Sequence, residues 1–136
     1  MAYKKPKARS PGRTARGGAA AREALAPTHF RGADAFRKWP TGTYAIWYPA
    51  KNRRQTDALA QHVAAAARTA KPPGKCLRVE FSISPQTAGA PLASTGLLIV
   101  NPPFPLHGEL KTILPELEKP LGQGGAARFR LEVPKL

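Results

Sequence analysis

Thr41 to Pro49 reads TGTYAIWYP and Gly96 to Phe104 reads GLLIVNPPF, and the reading of these two stretches decides the fold. In the first, Tyr44 to Tyr48 is apolar or aromatic at successive positions, the pattern of a strand covered on both faces, and Pro49 ends it by withdrawing a ladder donor. In the second, Leu97 to Val100 is continuously apolar, which predicts a central strand. Asn101 and the two prolines after it stop that strand.

Between and after these stretches, helix and strand patterns alternate. Asn52 is placed to cap a helix in which Thr56, Leu59, Val63, Ala66, Ala67 and Ala70 recur at three- and four-residue steps. Pro72-Pro73-Gly74 closes it. Lys75 to Ser84 alternates strictly, with Leu77, Val79, Phe81 and Ile83 on one face and Cys76, Arg78, Glu80 and Ser82 on the other. That alternation predicts a half-exposed strand near a sheet edge, reached from the aromatic strand by a right-handed parallel crossover. Ser84 to Thr95 is small, polar and proline-containing, a long loop. A weaker helix through Leu106, Leu110, Ile113, Leu114 and Leu117, dented at Pro115, and a last strand from Ala127 to Val133 complete the pattern. Gly122, Gly124 and Gly125 form a loop rather than a phosphate cradle, because no strand leads into them.

The 136 residues allow one domain or less. Residues 1–32 hold eight basic residues against the single acid Glu23, with almost no large apolar side chains, so they are expected to be a disordered basic tail; residues 33–136 form the body. Lysine and arginine number 22 against 8 aspartate and glutamate, a formal charge of +14. Such an excess favours a polyanion, nucleic acid first, because each neutralised phosphate releases condensed counterions. No run is long and apolar enough to cross a bilayer, and no basic amphipathic helix carries Trp or Phe on its apolar face, so no membrane partner is expected. The lone Cys76 excludes an internal disulfide. His29, His62 and His107 are too scattered to join it in a metal site, so no metal is implied. The basic N-terminus lacks the apolar core of a secretory signal, which points to a reducing cytoplasm.

From Ala35 to Pro49, AFRKWPTGTYAIWYP resembles the RlmJ-type 23S ribosomal RNA adenine-N6 methyltransferases at their fifth strand. The VEFSI strand, the loop into STGLLIVNPPF, and the Leu/Ile-rich helix followed by RFRLEVP fall in that family's order, so the resemblance covers residues 35 to 136. It implies the C-terminal half of a Rossmann-like α/β sheet, in which strand seven lies antiparallel between strands five and six. It also implies S-adenosylmethionine as cofactor of the intact family and ribosomal RNA as partner. What the family places earlier has no match: the glycine-containing cofactor turn, the acidic residue for the ribose, and the catalytic Asp-Pro-Pro-Tyr. The Ala, Arg, Gly and Pro bias of the tail is that of GC-rich coding sequence read from an unusual start or frame. A truncated or disrupted gene product is therefore expected, inactive and without cofactor alone, with a separately encoded N-terminal half as a candidate partner. The alternative is a small basic RNA-binding or ribosome-associated protein without catalysis.

Asn101, Pro102, Pro103 and Phe104 have the form of the amino-methyltransferase tetrapeptide, in which an amide oxygen and a proline carbonyl accept from the exocyclic amine while the aromatic stacks on a flipped base. The family's tetrapeptide follows strand four and this one follows strand seven, so the expected role is strand termination, and no catalytic residue is assigned. Trp47, Tyr44 and Tyr48 are read as core rather than base platforms. Cys76 is read as a passive strand residue, and His62 and His107 as surface helix residues. Lys38, Lys51, Arg53 and Arg54 flank the aromatic strand; RNA phosphate contacts and a solvated charged surface both explain them.

Overall fold

The computed structural model describes residues 32–135, in the order α1 (Gly32–Lys38), β1 (Tyr44–Pro49), α2 (Arg53–Arg68), β2 (Cys76–Ser82), β3 (Ser94–Val100), α3 (Leu106–Leu121) and β4 (Arg128–Glu132). The tail expected at residues 1–32 lies outside the described residues except for Gly32, which opens α1. The four strands form one sheet in the order β1-β3-β2-β4, each antiparallel to its neighbour. β1 and β2 therefore run the same way with β3 reversed between them, the arrangement the family resemblance implies.

α2 starts where the sequence says it should: the Asn52 side chain accepts from the Gln55 N–H at 3.2 Å, satisfying one of the donors a helix leaves open at its first turn. Its buried face is Leu59, Ala60, Val63, Ala64 and Ala67, and the small alanines let the helix lie close against the sheet. There it meets Tyr48 of β1, Cys76 of β2, and Leu98 and Val100 of β3. On the opposite face, Leu114 of α3, with Leu106 and Leu110 packed beside it, covers Leu77, Val79 and Ile99. The helix runs through Pro115 without interruption rather than breaking there. That proline is exposed, so the carbonyl it leaves unbonded can be met by water.

α1 is too short for its periodicity to be read. Phe36 anchors it, buried and edge-on to Tyr44 with ring centroids 4.9 Å apart. The Tyr44 hydroxyl lies 2.9 Å from the carbonyl oxygens of both Ala35 and Trp39, which also accept from the Trp39 and Gly42 N–H groups, and so ties β1 to the end of α1.

Two expectations are corrected. β2 is an interior strand, paired with β3 on one side and β4 on the other, and its polar face is not solvated: Arg78 is 1% exposed. The strict alternation is real, but α2 covers the polar face and brings Thr56 and Asp57 to meet it. β1 is covered on one face only. Tyr44, Ile46 and Tyr48 pack towards α2, whereas Ala45 and Trp47 point away, and Trp47 is 59% exposed rather than in the core. α3 lies over β2 and the middle of the sheet and stops short of β1. Among the described residues β1 pairs with β3 alone.

Candidate nucleic-acid interface

In open α/β sheets, ligands bind beyond the carboxyl ends of the strands that run together. Here those ends are Pro49 of β1 and Ser82 of β2. Lys51, Arg53 and Arg54 follow Pro49 directly and are all exposed, so the structure gathers them at that end of the sheet. Arg53 Nε also lies 3.8 Å from Asp57 Oδ2. Lys38 is exposed too, but it precedes β1 and stands at the other end, roughly 20 Å away by the rise of a six-residue strand. The loop over the carboxyl ends is braced by Gln86, whose Oε1 accepts from Ala93 N at 2.8 Å and whose Nε2 donates to the Pro91 oxygen at 3.1 Å.

Asn101-Pro102-Pro103-Phe104 sits at Lys38's end. Asn101 adopts a left-handed backbone, φ 52°, and its side chain ties three segments together. Nδ2 donates to the carbonyls of Pro40 at 2.8 Å and Gly42 at 2.9 Å, and Oδ1 accepts from the Lys75 N–H at 3.3 Å. Its backbone oxygen accepts from Thr43 Oγ1 at 2.9 Å. An amide engaged in this way joins the approach to β1, the approach to β2 and the exit of β3. Both its amide hydrogens and its oxygen are occupied by main chain. Pro102 is half-buried, and Pro103 and Phe104 are exposed.

A charged cluster that the sequence analysis did not single out lies beneath α2. Arg78 Nη1 donates to Asp57 Oδ1 at 2.6 Å and to Glu132 Oε1 at 3.4 Å, Nη2 donates to Thr56 Oγ1 at 3.0 Å, and Nε donates to Glu80 Oε1 at 3.0 Å. Arg130 joins from β4, with Nη1 3.0 Å from Asp57 Oδ1 and Nε 2.8 Å from Glu132 Oε2. Tyr48 closes the cluster: its hydroxyl donates to Glu80 Oε1 at 2.8 Å and accepts from Arg78 Nε at 3.0 Å. The ring reaches that far only because Gly96 lies beneath it, where a Cβ would stand 2.5 Å from the hydroxyl oxygen.

Burial opposes the charges of Asp57, Arg78 and Arg130, and pairing decides the outcome. Burial pushes the Asp57 carboxyl up, but hydrogen bonds from Arg78 and Arg130 outweigh it and hold its pKa below 3.8. Burial weakens the Arg78 guanidinium, and its bonds to Asp57 and Glu80 more than restore it, so it stays charged. Burial, then the bond to Glu80, raises the Tyr48 phenol well above 10. A cleft of about 390 Å³ opens over this cluster between Asp57, Arg130 and Lys135. Its inner charges are already matched, which makes it a poor place for a charged ligand. The only sequence signal for the cluster was a pair of opposite charges two residues apart on a strand, at Arg78 and Glu80, and solvated faces carry such pairs routinely.

The carboxyl end does not fit S-adenosylmethionine. β1 leads through Ala50 and Lys51 into Asn52, whose side chain already occupies the Gln55 N–H of the helix it caps. Glu80, the acidic residue nearest the end of β2, is committed to Arg78, and Glu132 of the antiparallel β4 pairs opposite Arg78, away from that end. No glycine turn follows a strand there to let backbone approach a cofactor, and no step is derived through one. Among the described residues no cluster of His, Cys, Asp or Glu could hold a metal ion, and no helix is long and apolar enough to cross a membrane. Cys76 lies in the core, its thiol pushed up to about 11 by burial, with Arg68 pulling weakly the other way.

The family model described as ribosomal RNA large subunit methyltransferase D, RlmJ, matches residues 30–132. Ribosomal RNA large subunit methyltransferase J of Haemophilus influenzae is 31% identical over 99 residues, covering 73% of this chain and 34% of the relative. The protein of the same name from Escherichia coli K12 is 27% identical over 93 residues, covering 68% and 31%. The chain thus spans about a third of the length of these curated relatives. The crystal structure of protein LPL1258 from Legionella pneumophila superposes with a TM-score of 0.62 at 25% identity, over 76% of this chain and 36% of that one.

Proposed function

Because this chain belongs to the RlmJ family of ribosomal RNA large subunit methyltransferases, we propose that residues 33–136 are the C-terminal part of an S-adenosylmethionine-dependent sheet that methylates N6 of an adenine in 23S ribosomal RNA. In this reading the described residues complete and brace the sheet and offer Lys51, Arg53 and Arg54 to RNA phosphates. Cofactor and amine are held by residues of the kind the family carries before its fifth strand. Residues 33–136 alone neither bind the cofactor nor transfer a methyl group, and a polypeptide carrying the family's earlier strands is the partner that would restore both.

The observation that supports this reading best is the state of β1. Among the described residues it has a full complement of apolar side chains, a hydrogen-bonded neighbour on one side only, and Trp47 bare on the face that α3 does not reach. A further strand on that edge, with a helix beyond it, would cover both.

Titration calorimetry tests the proposal directly. The chain alone should give no saturable heat with S-adenosylmethionine. After addition of a polypeptide carrying the family's first four strands, the cofactor should bind and Trp47 fluorescence should shift to the blue. Saturable cofactor binding by the chain alone would overturn the assignment of roles. The reading without chemistry, a small basic RNA-binding protein, predicts that the added polypeptide changes neither signal.

A further inference from the structure

A second cleft, of about 350 Å³, lies at the end of the sheet away from Lys51, Arg53 and Arg54. Its floor is Cys76 and Leu77 where β2 begins, and one wall is Pro102, Pro103 and Phe104. Phe104 is fully exposed, an aromatic ring with no packing partner among the described residues to explain its position. The remaining polar side chains at the rim are Arg68 from the last turn of α2, Lys75 and His107; among the described residues no carboxylate lines the cleft. Arg68 uses one donor on the Pro134 carbonyl at 3.4 Å, which sets its guanidinium across the cleft, and a guanidinium carries five donors in all. The thiol on the floor is neutral and buried, so the cleft is a surface for binding rather than for chemistry at sulfur.

We propose that this cleft binds an unpaired nucleotide of single-stranded RNA, with the base stacked on Phe104 against the two prolines and its phosphate taken by Lys75 and Arg68. The combination selects the ligand. An exposed aromatic face accepts any base and is reached only when that base is unpaired, and cations beside it follow the backbone. An acidic peptide would use the cations and leave the ring idle. Asn101 keeps the platform in place, since its bonds to Pro40, Gly42 and Lys75 hold the segment that carries Phe104 on a fixed left-handed turn. The site is remote from the carboxyl ends of β1 and β2. In the methyltransferase reading it would be an anchoring contact to RNA some distance from the modified adenine, and it rests on that reading only for the origin of the strand.

The test is fluorescence anisotropy with the full 136-residue chain and fluorescein-labelled oligoadenylate, compared with a duplex RNA of similar length. Phe104→Ala should weaken binding of the single strand about fivefold or more while leaving the salt dependence unchanged, and Phe104→Trp should bind as well as the parent or better. Lys75→Gln should lower the log-log salt slope by about 0.7. Phe104→Leu, which keeps bulk without a π face, decides the matter if the alanine variant melts early: it should behave as alanine in binding and as the parent in melting. Unchanged affinity in both Phe104→Ala and Phe104→Leu would overturn the proposal, as would an equal loss on duplex. The probe has no ribosomal sequence, so failure here leaves the methyltransferase reading standing, and absence of methyl transfer leaves this site standing.

Discussion

Among the described residues β4 and β1 are the two edges of the same sheet, and they are built to opposite rules. β4 is five residues long, carries Arg128, Arg130 and Glu132 on one side, and turns away at Pro134. Short length and charge are what protein edges use to refuse another strand. β1 has six residues without a single charge, and its outer face offers Ala45 and Trp47 to solvent. β1 has the side chains of an interior strand at an edge position. An edge can therefore be told from an interior strand by what its side chains guard against, independently of which neighbours are in place.

The largest expected effect is at the charged edge. Arg78→Ala removes the cation that joins β4 to β2 and α2 and leaves Asp57 and Glu80 without their main partner, at a cost of about 3–5 kcal/mol in urea unfolding. A loss below about 1 kcal/mol would mean that β4 is held by backbone pairing and the cluster is solvated. Next is Gly96→Ala, which drives a methyl group into the Tyr48 ring and should cost about 1–3 kcal/mol. The attribution is checked by a double-mutant cycle with Tyr48→Ala: if the two losses simply add, the ring is not the cause.

Acid should act on the same edge. The Asp57 pKa in the folded chain lies below its ordinary value of 3.8, so the folded state favours the carboxylate more than the unfolded chain does. The stability it contributes is complete above that value and is lost as pH falls through the lower folded pKa. The thermal midpoint should fall more steeply below about pH 4 in the parent than in Asp57→Asn. The smallest effect belongs to the open edge. Trp47→Lys should change the stability of this chain by no more than about 0.5 kcal/mol, because nothing described covers that face. The same change in a longer relative should cost several times more, and equal costs in the two proteins would erase the contrast between the edges.

How legible each part was in the sequence follows from how local its cause is. The cap at Asn52, the apolar stripe of α2 and the unbroken run from Leu97 to Val100 are local patterns, and they gave the right elements in the right order. α1 spans too few residues for a period to show, and its reason for existing, Phe36 against Tyr44, lies in a contact rather than a pattern. Arg78 reads as solvent-facing in the sequence because alternation says which residues share a face and says nothing about what covers it. Its cover is Thr56 and Asp57, a helix away. Trp47 failed in the reverse direction: an apolar strand records what it is built to meet. Asn101 reads as a strand terminator in the sequence, and its bonds to Pro40, Gly42 and Lys75 span segments that no motif of four residues reveals.

The glycine under Tyr48 also has a meaning for assembly. A strand that slips by one residue turns its apolar side chains to the wrong face and is rejected by burial alone, but a slip of two keeps every face correct and escapes that filter. In this sheet such a slip would set Ser94 or Leu98 where Gly96 now faces Tyr48 and Glu80. Either side chain would occupy the channel the ring needs to cross β3, and the Tyr48 hydroxyl would be stranded short of its carboxylate. Gly96 thus works as a keyhole: among the alignments the hydrophobic pattern tolerates for three strands, it admits one.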